Sequence, residues 1–226
     1  MGIVGEYFHR LGQDVPLPLN LALILVYVFI PYLLGSVNTA IIVSGKMYGD
    51  DVRTHGSGNA GFTNMMRNYG KKAAVLTLVG DLVKTMLAVF IGWCTFGYLT
   101  AYIAGLACMI GHVFPVFYGF KGGKGVLCLA GILIMLDWRL FLILFAVFAI
   151  IVIGTKYISA GAVIGSMLFP LILNRMNDTG LRMIELIALA MMLIVVLKHK
   201  ENIKRIFKGT ESKFEFKKSV KPEDKK

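Results

Sequence analysis

The chain has 226 residues and a net charge of +11, with 57% hydrophobic and only 16% charged residues. Soluble domains have roughly 45–50% hydrophobic and about 25% charged residues, so this composition excludes an ordinary soluble protein and indicates an integral membrane protein. The three cysteines lie in apolar segments and lack the spacing of a metal site. We expect neither a metal nor a cofactor.

Seven apolar segments along the chain are candidates for membrane-spanning helices. They cover residues 19–43, 73–97, 98–118, 125–136, 139–154, 157–173 and 182–198. A span needs about 20 mostly apolar residues, and the fourth segment is shorter than that. We therefore predict an all-α membrane protein with about seven transmembrane helices and short cytoplasmic glycine-rich loops. The predicted membrane domain is 19–208, between an extracytoplasmic segment, 1–18, and a basic, disordered cytoplasmic tail, 209–226.

The basic residues are divided unequally between the two sets of loops that alternate along such a chain. One set, with the C-terminal tail, holds nineteen of the 24 Lys and Arg residues, the other holds four, and Lys84 lies inside a span. Basic residues favour the cytoplasmic side of a membrane. The pattern predicts a multi-pass protein of the cell membrane, with its N-terminus outside and its C-terminus in the cytoplasm.

The first polar segment on the predicted cytoplasmic side is "GSGNAGFTNMMRNYG", Gly56 to Gly70. It contains the G-x-G-x-x-G spacing of a dinucleotide site, but that spacing has meaning only after a buried strand, and the neighbouring segments here are membrane helices. Glycines let backbone N–H groups converge on an anion, and arginines suit phosphate oxygens. The alternative is an ordinary glycine-rich loop between membrane helices. The candidate phosphate ligands are Arg53, Ser57, Gly58, Asn59, Thr63, Asn64 and Arg67.

The second polar segment, "GHVFPVFYGFKGGKG", places two lysines and three glycines at the start of a helix. Pro115 is expected to end or kink the preceding span, and a helix N-terminus favours anions. The candidate ligands are Lys121, Gly122, Gly123, Lys124 and Gly125. His112 is either a phosphate ligand or a core histidine bonded to a backbone carbonyl, and the spacing does not decide between them.

The third polar segment is "KHKENIKRIFKG", in which His199, Asn202 and Arg205 are spaced three apart and share one helix face. Further polar groups lie inside the spans or at their ends. Asp81 and Lys84 form a potential ion pair, which either joins helices or belongs to a pocket. Ser36 and Ser159 lie at the predicted cytoplasmic ends of the first and sixth spans.

Five short segments that contain these polar residues occur in the order and spacing of one family. They are "GSVNTA", "DVRTHGSGNAGFTNMMRNYG", "DLVK", "GHVFPVFYGFKGGKG" and "HKENIKRIFKGTE". The chain resembles the acyl-phosphate:glycerol-3-phosphate acyltransferases of bacterial membranes over most of residues 31–211. The resemblance implies seven membrane helices, and it implies transfer of a fatty acyl group from acyl phosphate to the 1-hydroxyl of glycerol 3-phosphate, the first step of phospholipid synthesis. It also implies a possible partner, the enzyme that produces acyl phosphate.

By this resemblance, five positions match the family's substrate site, and we expect Ser36, Lys124, His199 and Asn202 to be catalytic and Ser159 to be a substrate ligand. Lys84 is a further candidate ligand, because a charged pair inside a span can belong to a pocket. The chain departs from the family where Val37-Asn38 replaces the usual Ile-Pro, and where Gly45 replaces a basic residue. Lys46 stands at the next position, which points in another direction on a helix.

The expected chemistry needs little more than positioning and charge stabilisation, because an acyl phosphate already carries a good leaving group. The chain has no G-x-S-x-G element and no metal-ligand cluster. A donor phosphate oxygen is one candidate acceptor for the hydroxyl proton, and His112 and His199 are the others. The alternative from another class is a transporter or channel for a small phosphorylated anion, although no repeated halves are evident.

Overall fold

The computed structural model describes residues 2–11, 14–176 and 180–214. Within these residues the regular structure is entirely helical and comprises eleven α-helices, one π-helical turn and two short 3₁₀ turns. The α-helices are α1 Ile3–Arg10, α2 Leu17–Ile24, α3 Ile30–Ser36, α4 Thr39–Tyr48, α5 Phe62–Phe96, α6 Tyr98–Val113, α7 Val126–Leu136, α8 Trp138–Thr155, α9 Ile158–Met176, α10 Arg182–Lys198 and α11 Lys200–Phe207.

The first predicted span is an interrupted helix. Helix α2 continues through the π-turn Leu25–Phe29 into α3, and the chain then leaves helical geometry at Val37 and Asn38. The side chain of Asn38 restarts the helix, because its oxygen accepts a hydrogen bond from the backbone N–H of Ile41 at 3.1 Å. The break exposes the carbonyl groups at the end of α3 to other partners, which matters for the ion pair described below.

Helix α5 begins at Phe62 rather than near residue 73, so the second half of the first glycine-rich segment is helix and not loop. This corrects the interpretation of residues 56–70 as one loop. Met65, Met66 and Tyr69 are buried in a small core with Ala40 and Val52, which stabilises the added turns. The polar residues Thr63, Asn64 and Arg67 made these turns look like loop in the sequence. Gly70, at φ 81°, separates them from the rest of α5.

The later helices agree closely with the predicted segments. Helix α6 ends at Val113 before Pro115, as predicted, and α10 has the predicted bounds. Among the described residues, five helical segments are long and apolar enough to span a membrane: Leu17–Tyr48, Phe62–Phe96, Tyr98–Tyr118, Trp138–Thr155 and Ile158–Met176. Helices α7 and α10 are shorter, with 11 and 17 residues. The membrane class is therefore supported, while the count of seven spans and the orientation stay predictions.

Close packing of α3, α5 and α6 depends on glycines. A Cβ atom on Gly35 or Gly111 would overlap the backbone of the facing helix, and one on Gly92 would overlap α6 in the same way. Small residues are the usual means by which membrane helices approach each other. Large apolar side chains such as Val83, Phe90 and Ile150 point outward, as lipid-facing residues do.

The connections predicted to be cytoplasmic meet at one end of the helix bundle. Arg53 in the α4–α5 connection donates to the carbonyl of Tyr118 in the α6–α7 connection at 2.7 Å. After α11, Phe214 N–H donates to the carbonyl of Lys156 in the α8–α9 connection at 2.8 Å. Helix α1 lies toward the opposite end, with Gly2 against the last turn of α5. Residues 209–214 of the predicted tail contact the bundle through Glu211 and Phe214, and residues 215–226 lie outside the described part, so the domain boundary at Lys208 stays a prediction.

Candidate active site

A cavity of about 160 Å³ opens where the three polar segments meet. Three helices start at its wall: α5 with Phe62, α7 with Val126 and α9 with Ile158. The first N–H groups of a helix have no partner inside the helix, and the helix dipole makes that end positive. The cavity therefore attracts anions even before its charged side chains are considered.

The cation at the centre of the cavity wall is Lys124. Its ammonium group donates a hydrogen bond to Oδ1 of Asn202 on α11, and the two remaining N–H groups have no partner in the described part of the chain. Burial lowers the pKa of Lys124 to about 8; Glu211 opposes this shift, and the positive charges of Arg205 and Arg67 add to it. Lys124 is therefore mostly protonated at neutral pH and would hold its proton more firmly beside an anion.

Glu211 connects the third polar segment to α9. Its Oε1 accepts hydrogen bonds from Ser159 Oγ at 2.7 Å and from Asn202 Nδ2 at 2.6 Å, and its Oε2 accepts one from Arg205 Nε at 2.7 Å. Burial raises the pKa of Glu211, but these three hydrogen bonds lower it by more, so the net pKa is below its usual value. The carboxylate stays charged and fixes the orientation of the Asn202 amide.

Glu211 is a site residue that the sequence analysis missed, although it is the last letter of the segment "HKENIKRIFKGTE". Its position depends on Gly209, whose φ of 67° turns the chain back after α11. The signal that could have identified Glu211 in the sequence is the occurrence of a carboxylate in a strongly basic tail. The residue as a whole is only 8% exposed.

His199 lies at the junction of α10 and α11 and lines the cavity. Its Nδ1–H donates to the carbonyl of Val195 at 2.8 Å, which leaves Nε2 as an acceptor without a described partner. Burial lowers the pKa of His199 to about 4, and the charge of Lys124 adds to this shift, while the bond to Val195 opposes it. The imidazole is therefore neutral at pH 7 and able to accept a hydrogen bond from a substrate.

Asn64 shapes the first glycine-rich connection. Its Oδ1 accepts from Ser57 N–H at 3.1 Å, and its Nδ2 donates to the carbonyls of Val52 and His55 at 3.0 and 2.9 Å. Gly56 has φ 57°, and a Cβ there would overlap the Asn64 amide. Asn64 lines the cavity together with Ser57, Asn59 and Thr63. Its side-chain groups are occupied by hydrogen bonds within the connection, so it positions the connection.

Arg53 lies outside this cavity and joins two connections. It makes a bidentate contact with Asp51, at 2.7 to 3.0 Å, and donates to the carbonyls of Tyr118 and Lys121. Hydrogen bonds from Arg53 lower the pKa of Asp51. The guanidinium group is thus occupied within the protein.

Ser36 is fully buried and also lies outside the cavity. Its Oγ donates to the carbonyl of Tyr32 at 2.9 Å and accepts from Val116 N–H at 3.3 Å.

Gly122 and Gly123 allow a close approach to His112, because a Cβ on Gly123 would overlap the imidazole. The predicted residues that do not line the cavity are Ser36, Arg53, Gly58, Lys84, Lys121, Gly122, Gly123 and Arg205.

Arg205 instead lines a second, larger recess of about 570 Å³ with Arg67 and Lys213. Arg67 and Ser57 line both spaces, so the two adjoin. The guanidinium of Arg67 also donates to the carbonyl of Ser212 at 3.0 Å. This recess is basic and leads toward the cavity. Lys46 lines neither space and is exposed on α4.

Inside the bundle, Lys84 links α5 to the broken first span. Its Nζ lies 2.8 Å from Oδ1 of Asp81 and donates to the carbonyls of Val37 and Gly35 at 2.9 and 3.2 Å. It also lies 3.1 Å from His112 Nδ1, which must accept because an ammonium only donates. The end of α3 is thus capped by a lysine. Asp81 and His112 line the cavity, whereas Lys84 does not.

The remaining wall of the cavity is apolar, formed by Val126, Leu127, Phe148, Ile158 and Ala162. Among residues 2–11, 14–176 and 180–214, no group of three or more His, Cys, Asp or Glu is arranged to hold a metal ion. The site thus combines an anion-attracting side with an apolar side, which suits an amphiphile with a phosphate group.

Comparisons with known proteins agree with these features. The family model described as glycerol-3-phosphate acyltransferase matches residues 25–209. A glycerol-3-phosphate acyltransferase of Trichlorobacter lovleyi is 42% identical over 81% of this chain and 93% of its own. One of Finegoldia magna is 36% identical over 86% of this chain and 98% of its own.

Two solved structures have a similar fold. Both are crystal structures of PlsY (YgiH), an integral membrane glycerol 3-phosphate acyltransferase. Its glycerol 3-phosphate form has a TM-score of 0.79 at 33% identity, over 84% of this chain and 95% of that one. Its lysophosphatidic acid form has a TM-score of 0.76 at 30% identity, over 85% and 95% of the two chains. This chain therefore belongs to the glycerol-3-phosphate acyltransferase family of integral membrane proteins.

Proposed function

We propose that this protein transfers a fatty acyl group from acyl phosphate to the 1-hydroxyl of glycerol 3-phosphate and releases lysophosphatidic acid and inorganic phosphate. The observation that carries the proposal is the cavity at which α5, α7 and α9 all begin, with the partly free ammonium of Lys124 in its wall. Two phosphate-bearing substrates must be held together in this reaction, and converging helix N-termini and cations suit that task.

The apolar wall accounts for the fatty acyl group. Phe148 on α8 and Ile158 and Ala162 on α9 line the cavity beside its polar groups. Helix α8 is apolar along its length and has exposed residues such as Ile150 and Ile153, which would face lipid. An acyl chain in the membrane can lie along this side while its phosphate group reaches Lys124.

In the proposed reaction, the oxygen of the 1-hydroxyl attacks the acyl carbonyl carbon, and a tetrahedral intermediate with an oxyanion forms. Lys124 and the free N–H groups at the starts of α5 and α7 would stabilise that oxyanion and the donor phosphate. The bond from the acyl carbon to the phosphate oxygen then breaks, and phosphate leaves. The hydroxyl proton passes to a phosphate oxygen of the donor, so the step needs no protein base.

Direct transfer fits the contacts of Ser159 and Ser36 better than a covalent intermediate. The hydroxyl of Ser159 donates to Glu211, and that of Ser36 donates to a backbone carbonyl. A serine nucleophile needs an adjacent base with a third group that orients the base. We assign Asn202 and His199 to substrate positioning beside Lys124. Ser159 and Arg205 support Glu211. The phosphate ligands are Arg67, Ser57, Asn59 and Thr63.

The cavity would face the cytoplasm, where a water-soluble acceptor and a membrane-borne donor can meet. The sided distribution of lysine and arginine supports this orientation, with the protein in the cell membrane. An enzyme that produces acyl phosphate is then the functional partner of this protein, because it would supply the donor.

The experiment is a two-substrate assay with the purified protein in detergent. Release of phosphate that requires both acyl phosphate and glycerol 3-phosphate, with no formation of lysophosphatidic acid when acyl-CoA replaces acyl phosphate, supports the proposal. Lys124→Met should abolish this release, whereas Lys200→Met, which removes an exposed lysine of α11, should not. Equal use of acyl-CoA, or no dependence on glycerol 3-phosphate, overturns it.

A further inference from the structure

Asp81 is a buried carboxylate in the cavity wall whose hydrogen-bonding capacity is mostly unused. It is 1% exposed, and its Oδ2 accepts no hydrogen bond from any residue in the described ranges. Its only close charged neighbour there is Lys84, with Nζ 2.8 Å from Oδ1 in an ion pair. An ionised carboxylate has about four acceptor sites, and a buried one without hydrogen bonds is costly.

The donors beside Asp81 have more acceptors than protons. Lys84 has three N–H groups, and four acceptors lie within 3.2 Å of its Nζ: the carbonyls of Gly35 and Val37, Nδ1 of His112 and Oδ1 of Asp81. Nδ1 of His112 accepts from Lys84 and has no proton for the carboxylate. Lys84 can therefore serve Oδ1 at most, and Oδ2 has no donor in the described part of the chain.

A ligand group that meets this need carries an O–H or N–H and no negative charge. A phosphate would be repelled by the carboxylate and is better placed beside Lys124 and the helix N-termini. Asp81 lies beside His112, with Nδ1 3.7 Å from Oδ1, and Gly123, the neighbour of Lys124, packs against the His112 ring. Asp81, His112 and Lys124 all line the cavity, so a hydroxyl of a small polyol phosphate held at Lys124 is the ligand group that suits Asp81.

We propose that the Asp81 carboxylate accepts a hydrogen bond from the 2-hydroxyl of glycerol 3-phosphate and thereby selects a polyol acceptor. This inference rests on the proposed function. In that reaction the proton of the 1-hydroxyl goes to the donor phosphate, so the 1-hydroxyl has its acceptor already. The 2-hydroxyl is the donor group left without a partner, and Oδ2 of Asp81 is the acceptor without a donor in the described part of the chain. Asp81 is then a specificity-determining residue and not a base.

The test compares two acceptors with the full-length enzyme: glycerol 3-phosphate and 3-hydroxypropyl phosphate, which lacks the 2-hydroxyl. The wild type should prefer glycerol 3-phosphate by at least about tenfold in kcat/KM, since a site built to bind a hydroxyl discriminates against an analogue without it. In Asp81→Asn this preference should fall at least about fivefold, because the charge-assisted hydrogen bond is lost. Glu201→Gln, an exposed carboxylate of α11, should keep the wild-type preference.

A purely structural role of Asp81 would lower kcat/KM for both acceptors by the same factor, and that result overturns the inference. Because Asp81→Asn leaves the buried Lys84 unpaired, the double variant Asp81→Asn with Lys84→Gln removes both charges and provides a second measurement. Should neither variant fold, equal kcat/KM of the wild type for the two acceptors still contradicts the inference. Absence of acyl transfer by the wild type contradicts the proposed function itself, which separates the two outcomes.

Discussion

Asn202 donates from Nδ2 to Oε1 of Glu211 at 2.6 Å and accepts on Oδ1 from Lys124, so its amide is held in one orientation between an anion and a cation. The carboxylate ensures that the amide oxygen, and not its NH₂ group, faces the lysine. The position of the Lys124 ammonium in the cavity therefore depends on a residue 87 positions away in the chain.

Glu211→Gln should lower kcat/KM for glycerol 3-phosphate by about 10- to 100-fold, because a neutral amide holds Asn202 and Arg205 less firmly. Part of the loss should appear in kcat, since Lys124 would no longer be fixed beside the reacting groups. Steady-state kinetics on detergent-purified enzyme measure both terms. Glu201→Gln on the exposed face of α11 is the control, and an equal loss in both variants would contradict the account.

The lowered pKa of Lys124 predicts a pH dependence of activity. A lysine with a pKa of about 8 loses its charge as the pH rises through 8, so kcat/KM should fall tenfold per pH unit above that value. The phosphate groups of both substrates are already fully ionised in that range. Lys124→Arg keeps a cation at every accessible pH. Its profile should be flat from pH 8 to 10, even where its activity is low, and a persistent decline would assign the titration to another group.

His199→Gln separates hydrogen bonding from base catalysis. Glutamine can still accept a hydrogen bond but cannot take up a proton at neutral pH. If the donor phosphate takes the proton, kcat should fall by less than about 100-fold, which is the lower end of the loss expected for a missing general base. Single-turnover measurements of lysophosphatidic acid formation follow the chemical step, and a loss of 1,000-fold or more would identify His199 as the base.

Gly123→Ala should destabilise the protein and disturb the cavity, because the added Cβ would overlap the His112 ring. Overpacking of this kind costs about 1–3 kcal/mol in the free energy of unfolding, and thermal unfolding in detergent would show it as a lower Tm. Gly45→Ala is the matched control, since its Cβ on α4 would meet no atom within 4 Å. An alanine in that helix should leave Tm unchanged or slightly higher.

The apolar helices were predictable because continuous hydrophobic runs of membrane length leave few alternatives. Segment 139–154 became α8, Trp138–Thr155, and 182–198 became α10 with the same bounds. The helical turns at residues 62–69 were not predictable. Their buried Met65, Met66 and Tyr69 lie among polar residues, and the partners that bury them are distant in sequence.

Within the site, residue type was predictable but contact was not. The sequence indicated that Arg53 and Lys124 are cations near glycines, yet only the fold decides that Arg53 is occupied by Asp51 and backbone carbonyls while Lys124 enters the cavity. Glu211 was missed for the same reason, because its three partners come from α9 and α11. Such tertiary pairings leave no local pattern.

The most direct measurement follows an oxygen atom through the reaction. Glycerol 3-phosphate labelled with ¹⁸O at the 1-hydroxyl is incubated with acyl phosphate and the purified enzyme, and both products are examined by mass spectrometry. The account predicts lysophosphatidic acid with the label in its ester bond and unlabelled inorganic phosphate, because the hydroxyl attacks the acyl carbon. Labelled glycerol bisphosphate with free fatty acid, which attack on phosphorus would give, or no lysophosphatidic acid, would contradict it.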